Sequence, residues 1–223
     1  MATLAVRYST LRVWRGGRGR STLIEVKRIF LLSPANCGGV RAGQLVNPNA
    51  TFELATRLRE PKGAPIGELF AFISGLYFRG KLTYSRAFTA NAVVITPSRG
   101  LLPIDSLVTL DMFHEFAEVD IDPANPRYRK PLERDLARLA RTSRKAEVVL
   151  LGSVASGKYV EILLDHIGDR LVFPETFVGR GDMSRGGVML RAARQGEELT
   201  YIRAAGAMRR GTRPPKLEPI ARA

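Results

Sequence analysis

Val148-Val149-Leu150-Leu151-Gly152-Ser153-Val154-Ala155-Ser156-Gly157-Lys158 carries the first decision about the fold. Four apolar residues, two of them β-branched, stop abruptly at small and polar ones. A run this short and this uniformly apolar reads as a strand buried on both faces, with a loop at its carboxyl end. Three other stretches break in the same way. Ile29-Phe30-Leu31-Leu32 runs into Ser33-Pro34-Ala35-Asn36-Cys37-Gly38-Gly39, and Val93-Val94-Ile95-Thr96 into Pro97-Ser98-Arg99-Gly100. Leu171-Val172-Phe173 runs into Pro174 and a Gly/Arg-rich loop through Gly187. Helix-length segments separate these runs. The pattern predicts an α/β fold: a three-layer α/β/α sandwich with a mainly parallel four-stranded central sheet. Ligands of such sheets bind beyond the carboxyl ends of the strands, so the four breaks are expected on one rim.

Between the strands the helical signals vary. Phe52, Leu54, Ala55 and Leu58 predict a short helix stopped by Pro61. A longer one starts near Ile66, with Gly75 and Gly80 as interruptions. Leu132, Leu136 and Leu139 place a helix over 131–144, and Tyr159, Ile162, Leu163 and Ile167 one that Gly168 stops. Phe116, Val119 and Ile121 suggest an extra strand. A last helix is expected over 188–194 and an edge strand over 199–202. The domain reading is a basic arm over 1–22, one α/β domain over 23–203 and a basic tail over 204–223.

Charge narrows the function classes. The 223 residues hold 35 Lys+Arg against 21 Asp+Glu, a formal net charge of +14. Such an excess attracts polyanions, and nucleic acid is the first candidate partner. Cys37 is the only cysteine, which excludes an intramolecular disulfide and a cysteine-based zinc site. There is no membrane-length apolar run, and Arg7, Arg12 and Arg15 stand where a signal peptide needs its apolar core. A cytoplasmic location without membrane contact is the expectation. His114 and His166 match no metal motif, and the Gly-x-Gly-x-x-Gly and Gly-Lys-Ser/Thr phosphate loops are absent, so neither metal nor nucleotide cofactor is expected.

The loops hold the candidate site residues. Asn36 can orient a water or a substrate carbonyl, or simply close a turn. Ser153, Ser156 and Lys158 are placed where a helix would open, a position that favours a phosphate. Arg180, Asp182, Ser184 and Arg185 stand among glycines, which allow close approach of backbone to ligand. Tyr77, Arg79 and Lys81 interleave aromatic and basic groups, a pattern that serves either nucleic-acid stacking or a helix with its aromatics in the core.

Val149-Leu150-Leu151-Gly152-Ser153-Val154-Ala155 resembles the strand-then-helix segment of the uracil-DNA glycosylase superfamily, as does the spacing of the four strands. Val94-Ile95-Thr96-Pro97-Ser98-Arg99-Gly100-Leu101-Leu102-Pro103 resembles a segment of the related domain in archaeosine synthases, and is similar to one in a family of small bacterial proteins. The resemblance spans about residues 24–200 and implies cleavage of the N-glycosidic bond of a flipped-out base. It matches Asn36 to the residue that positions or activates water, and the chemistry makes Asp182 the candidate carboxylate that activates water or steadies the sugar cation. Cys37, Arg180 and Arg185 would hold the leaving base; Ser98, Arg99 and the basic and hydroxyl residues named above would bind the strand. Where the family carries His-Pro-Ser, this chain has Phe173-Pro174-Glu175. The missing histidine implies a base other than uracil, such as a modified pyrimidine in foreign DNA, with repair or antiviral defence as the setting. Two other readings stand beside it: a non-catalytic nucleic-acid-binding module, and an RNA base-modification or base-exchange enzyme related to archaeosine synthesis. Asp111 competes with Asn36 and Asp182 for the key role.

Overall fold

The computed structural model describes residues 27–217. The expected basic arm over 1–22 lies outside the described residues. From the amino end the chain runs β1 (Arg28–Leu32), α1 (Val40–Val46), α2 (Glu53–Arg59), β2 (Ala64–Pro65), α3 (Ile66–Ser74) and α4 (Leu76–Phe88). It continues through β3 (Ala92–Ile95), β4 (Leu101–Pro103), β5 (Leu107–Val108), α5 (Leu110–Ala117), α6 (Pro126–Thr142) and β6 (Glu147–Leu151). The last elements are α7 (Val160–Ile167), β7 (Leu171–Pro174), α8 (Asp182–Gln195) and β8 (Tyr201–Arg203).

The fold is α/β, built on a mixed six-stranded sheet of order β4-β3-β1-β6-β7-β8. β3, β1, β6 and β7 are mutually parallel, and β4 and β8 close the two edges antiparallel. The expected four strands are therefore the inner part of a wider sheet. The edge strand expected over 199–202 forms as β8. β4 was not expected: Thr96 closes the turn after β3 by donating to the Gly100 carbonyl at 2.9 Å, and Leu101–Pro103 folds back alongside. β2 and β5 form a separate antiparallel pair. The extra strand expected around Phe116 is α5 instead. Its apolar residues Phe113 and Phe116 follow helical spacing and both are buried.

Gly75 ends α3 at φ +62°, the left-handed region that suits glycine, and a new helix starts directly behind it. Gly80 does not break α4. A Cβ at Gly80 would stand 2.6 Å from the Gly186 carbonyl oxygen, and one at Gly186 would stand 2.7 Å from that of Leu76. α4 and α8 thus cross backbone against backbone. This crossing sets Tyr77 and Lys81, one turn apart on α4, beside the first turn of α8.

At the amino ends of the strands, Arg28 bridges two carboxylates, Glu147 at 3.0 Å and Glu198 at 2.8 Å. Tyr201 donates to Glu198 at 2.9 Å, Tyr84 and Tyr201 share a hydrogen bond of 2.5 Å, and the Leu199 amide donates to the Tyr84 hydroxyl at 2.8 Å. On the other side of the sheet's centre, buried Asp135 of α6 accepts from the Leu101 amide and pairs with Arg134 and Arg138. Of the basic tail expected over 204–223, residues 204–217 are described, and parts of it touch the domain. Arg209 pairs with Glu161 at 2.7 Å, and a Cβ on Gly179 would press on the Thr212 carbonyl.

Candidate functional site

β1 sits between β3 and β6. The chain leaves β1 towards β3 on one side and leaves β6 towards β7 on the other. Such a reversal opens a crevice at the carboxyl ends of the two strands, where ligands of open α/β sheets bind.

A cleft of about 240 Å³ lies at this rim, with Asn36, Cys37, Pro97, Phe116, Asp120 and Lys158 among its walls. A wider depression of about 410 Å³ continues from it past Asp120, Asp122 and Lys158. The loop after β1 is held so that Asn36 faces outward. Its Oδ1 accepts from the Gly38 amide at 3.0 Å, which leaves Nδ2 as a donor for a ligand. Cys37 is buried, and burial pushes its thiol up to about 12. It stays protonated and forms an uncharged wall. Asp120 and Lys158 are exposed, and neither is in an ion pair among the described residues.

Behind the cleft lies a buried polar cluster. The Lys81 amine donates to Ser33 Oγ at 2.7 Å and to the Ser33 carbonyl at 3.2 Å, and stands 3.9 Å from the centre of the Tyr77 ring. No carboxylate touches it. Burial lowers Lys81 to about 7, helped by the charge of Arg185 and opposed by that of Asp182. Tyr159 reaches back from the start of α7: its hydroxyl takes the Ser153 amide at 2.9 Å and donates to the Ser153 carbonyl at 3.1 Å. Gly152 makes room, since a Cβ there would stand 2.7 Å from Ser33 Cβ. Burial raises the Tyr77 and Tyr159 hydroxyls. The Tyr77 and Tyr128 hydroxyls are buried and make no hydrogen bond. Leaving such a group unpaired costs roughly 1–3 kcal/mol.

The expected site residues separate into groups. Asn36, Cys37 and Lys158 meet in the cleft. Tyr77 and Lys81 are 6% and 1% exposed, so they do not form the stacking surface expected of them. Arg79 on the same helix is exposed. Ser98 and Arg99 both donate to Glu115, at 2.6 and 3.0 Å, which holds their donors within the chain and keeps Glu115 below the usual carboxylate range. Ser153 and Ser156 do not open a helix. α7 begins at Val160, and the intervening loop is fixed by Tyr159 and by Ser156 Oγ, which accepts from the Lys158 amide at 3.2 Å. The expected Gly/Arg loop ends at Gly181; from Asp182 onward it is α8, so Asp182 lies in a first helical turn and pairs with Arg185 at 3.2 Å. Arg180 donates to Ser184 Oγ at 3.1 Å. Asp111 lies in the first turn of α5.

Asp120, Ser33 and Tyr159 were not singled out in the sequence. Asp120 lies between Val119 and Ile121, whose alternation reads as a strand. Ser33 follows four apolar residues directly, a position open to recognition as the first residue of the rim.

No helix among the described residues is long and apolar enough to cross a membrane. Among them there is also no group of three or more His, Cys, Asp or Glu side chains placed to hold a metal. No family model, curated protein or solved structure matches the chain.

Proposed function

We propose that the protein cleaves the N-glycosidic bond of a base turned out of a nucleic-acid strand, with the rim cleft as its base pocket. The observation that carries this reading is the meeting of Asn36, Asp120 and Lys158 in one small cleft at the carboxyl end of β1. Its volume falls below the roughly 300–1,000 Å³ of sites for drug-sized ligands, which favours a single base over a dinucleotide. The helix pairs α4–α8 and α6–α7 fit the outer layers of a three-layer sandwich around the parallel inner strands.

The reaction needs a water, a group to take its proton, and a donor for the departing base. Asn36 Nδ2 orients the water. Asp120 takes its proton as oxygen adds to the sugar carbon. The bond to the base nitrogen breaks with its electron pair on the base, and Lys158 stabilises that charge. The net charge of +14 draws the strand to the protein. Asp182, the sequence candidate for the carboxylate role, pairs with Arg185, and in this reading Asp120 takes that role.

An abasic-site assay on oligonucleotides carrying a panel of modified pyrimidines tests the reading. Cleavage of at least one base is expected, with a fall of about 100-fold or more in rate for Asn36→Ala and Asp120→Asn while strand affinity is kept. Binding without cleavage of any base on the panel would identify a binding module.

A further inference from the structure

We propose that Lys81, Ser33 and Tyr159 form a latch between the loop after β1 and the loop after β6, and that a single proton on Lys81 closes and opens it. The first loop carries Asn36 and the second Lys158, so the latch sets two walls of the cleft against each other. The two strand ends meet where the Ser33 amide donates to the Leu151 carbonyl at 3.2 Å. Beyond that bond the link passes through side chains. The Lys81 amine donates to both the hydroxyl and the carbonyl of Ser33. The Ser33 hydroxyl lies within hydrogen-bonding reach of the Tyr159 hydroxyl, which in turn holds the amide and the carbonyl of Ser153. Lys81, Ser33 and Tyr159 are all buried, where a hydrogen bond is stronger than in water.

The direction of each hydrogen bond gives the latch its two positions. An ammonium group has three donors and no acceptor. While Lys81 is charged, its donors face Ser33 Oγ, the Ser33 carbonyl and the ring of Tyr77. Ser33 can then only accept from Lys81, and its own O–H is left for Tyr159. A neutral amine carries a lone pair. The Ser33 O–H turns to that lone pair, and Tyr159 loses it. Loss of one proton therefore reverses the Lys81–Ser33 bond and uncouples the two loops. The charges that act on the amine both come from α8: Asp182 favours the ammonium form and Arg185 opposes it, and the two pair with each other at 3.2 Å. The Tyr77 and Phe78 rings of α4 and the Tyr159 hydroxyl beyond Ser33 are uncharged neighbours. Burial outweighs these charges and brings the amine to about 7, so the latch is closed below that pH and open above it.

The latch belongs to the free protein and does not require the N-glycosidic reading. Amide chemical shifts of the isotope-labelled full chain, followed from about pH 5.5 to about pH 8.5, test it. Residues 33–39 and 152–158 are expected to shift together, with one midpoint near pH 7. Lys81→Met is expected to abolish the step in both loops. Tyr159→Phe is expected to keep it in 33–39 and remove it from 152–158. Asp182→Asn takes away a charge that favours the ammonium form and is expected to move the midpoint downward. Should Lys81→Met or Tyr159→Phe fail to fold, Asp182→Asn, whose side chain is 62% exposed, carries the test. A step that survives in Lys81→Met belongs to His114 or His166 and overturns the proposal. Wild-type loops that titrate apart or not at all, or a midpoint that Asp182→Asn leaves in place or raises, overturn it as well. Base excision is read separately in the abasic-site assay.

Discussion

The two ends of the parallel strands treat buried polar groups in opposite ways. At the amino ends of β1 and β6, Arg28 has two carboxylates, Glu147 and Glu198; the network then runs across the sheet face, where Glu198 also has Tyr201 and Tyr84 joins Tyr201 to the Leu199 amide. At the carboxyl ends, Lys81 is buried without a carboxylate in contact, and Tyr77 and Tyr128 keep unpaired hydroxyls. A fully satisfied network rigidifies the fold, whereas unspent donors in a buried cluster call for a partner. The proposed function uses the carboxyl rim and leaves the Arg28 network to stability.

Arg28→Ala gives the largest expected effect. It leaves Glu198 buried and uncompensated, and urea unfolding is expected to report a loss of about 3–5 kcal/mol. Tyr201→Phe removes a hydrogen bond to a charged group and is expected to cost about 1.5–3 kcal/mol. Lys81→Met reads out the rim through pH. The folded-state value of Lys81 is depressed to about 7 from the ordinary lysine value of 10.5. Between those values the unfolded chain holds more protons, so the stability contribution of this residue rises with pH. The wild-type stability, measured against Lys81→Met by urea unfolding, is expected to gain about 2 kcal/mol between about pH 8 and about pH 9.5. A flat difference would mean that the amine keeps an ordinary affinity for its proton. Tyr77→Phe comes last and has the opposite sign: deleting a buried, unpaired hydroxyl removes its desolvation cost and is expected to stabilise by about 1 kcal/mol. A loss as large as that of Tyr201→Phe would erase the contrast between the ends.

The strands were legible because Ile29–Leu32, Val93–Ile95, Val148–Leu151 and Leu171–Phe173 are apolar on both faces, as buried parallel strands must be. Gly75 and Gly168 announced two helix ends through backbone conformations that only glycine adopts cheaply. The site was less legible because long-range packing builds it. Gly80 reads as a helix breaker in one dimension and is a contact point with Gly186 in three. That contact buries Tyr77 and Lys81, whose aromatic and basic alternation fits an exposed stacking surface equally well on paper. Asp182 sits among glycines that suggest a loop, yet Gly181 precedes the helix and α8 begins at the aspartate itself. The position of Asn36 on the rim was legible because its loop follows directly from a strand and needs no distant partner to be placed.

The proposed function requires the carboxyl rim to receive the nucleic acid. Titration of isotope-labelled protein with a short oligonucleotide, followed by amide chemical-shift mapping, tests it most directly. Shifts are predicted in 33–39, 152–158 and 180–185, with Arg28, Glu147 and Glu198 unmoved. Shifts gathered around Arg28, Glu147 and Glu198, with the rim silent, would contradict it.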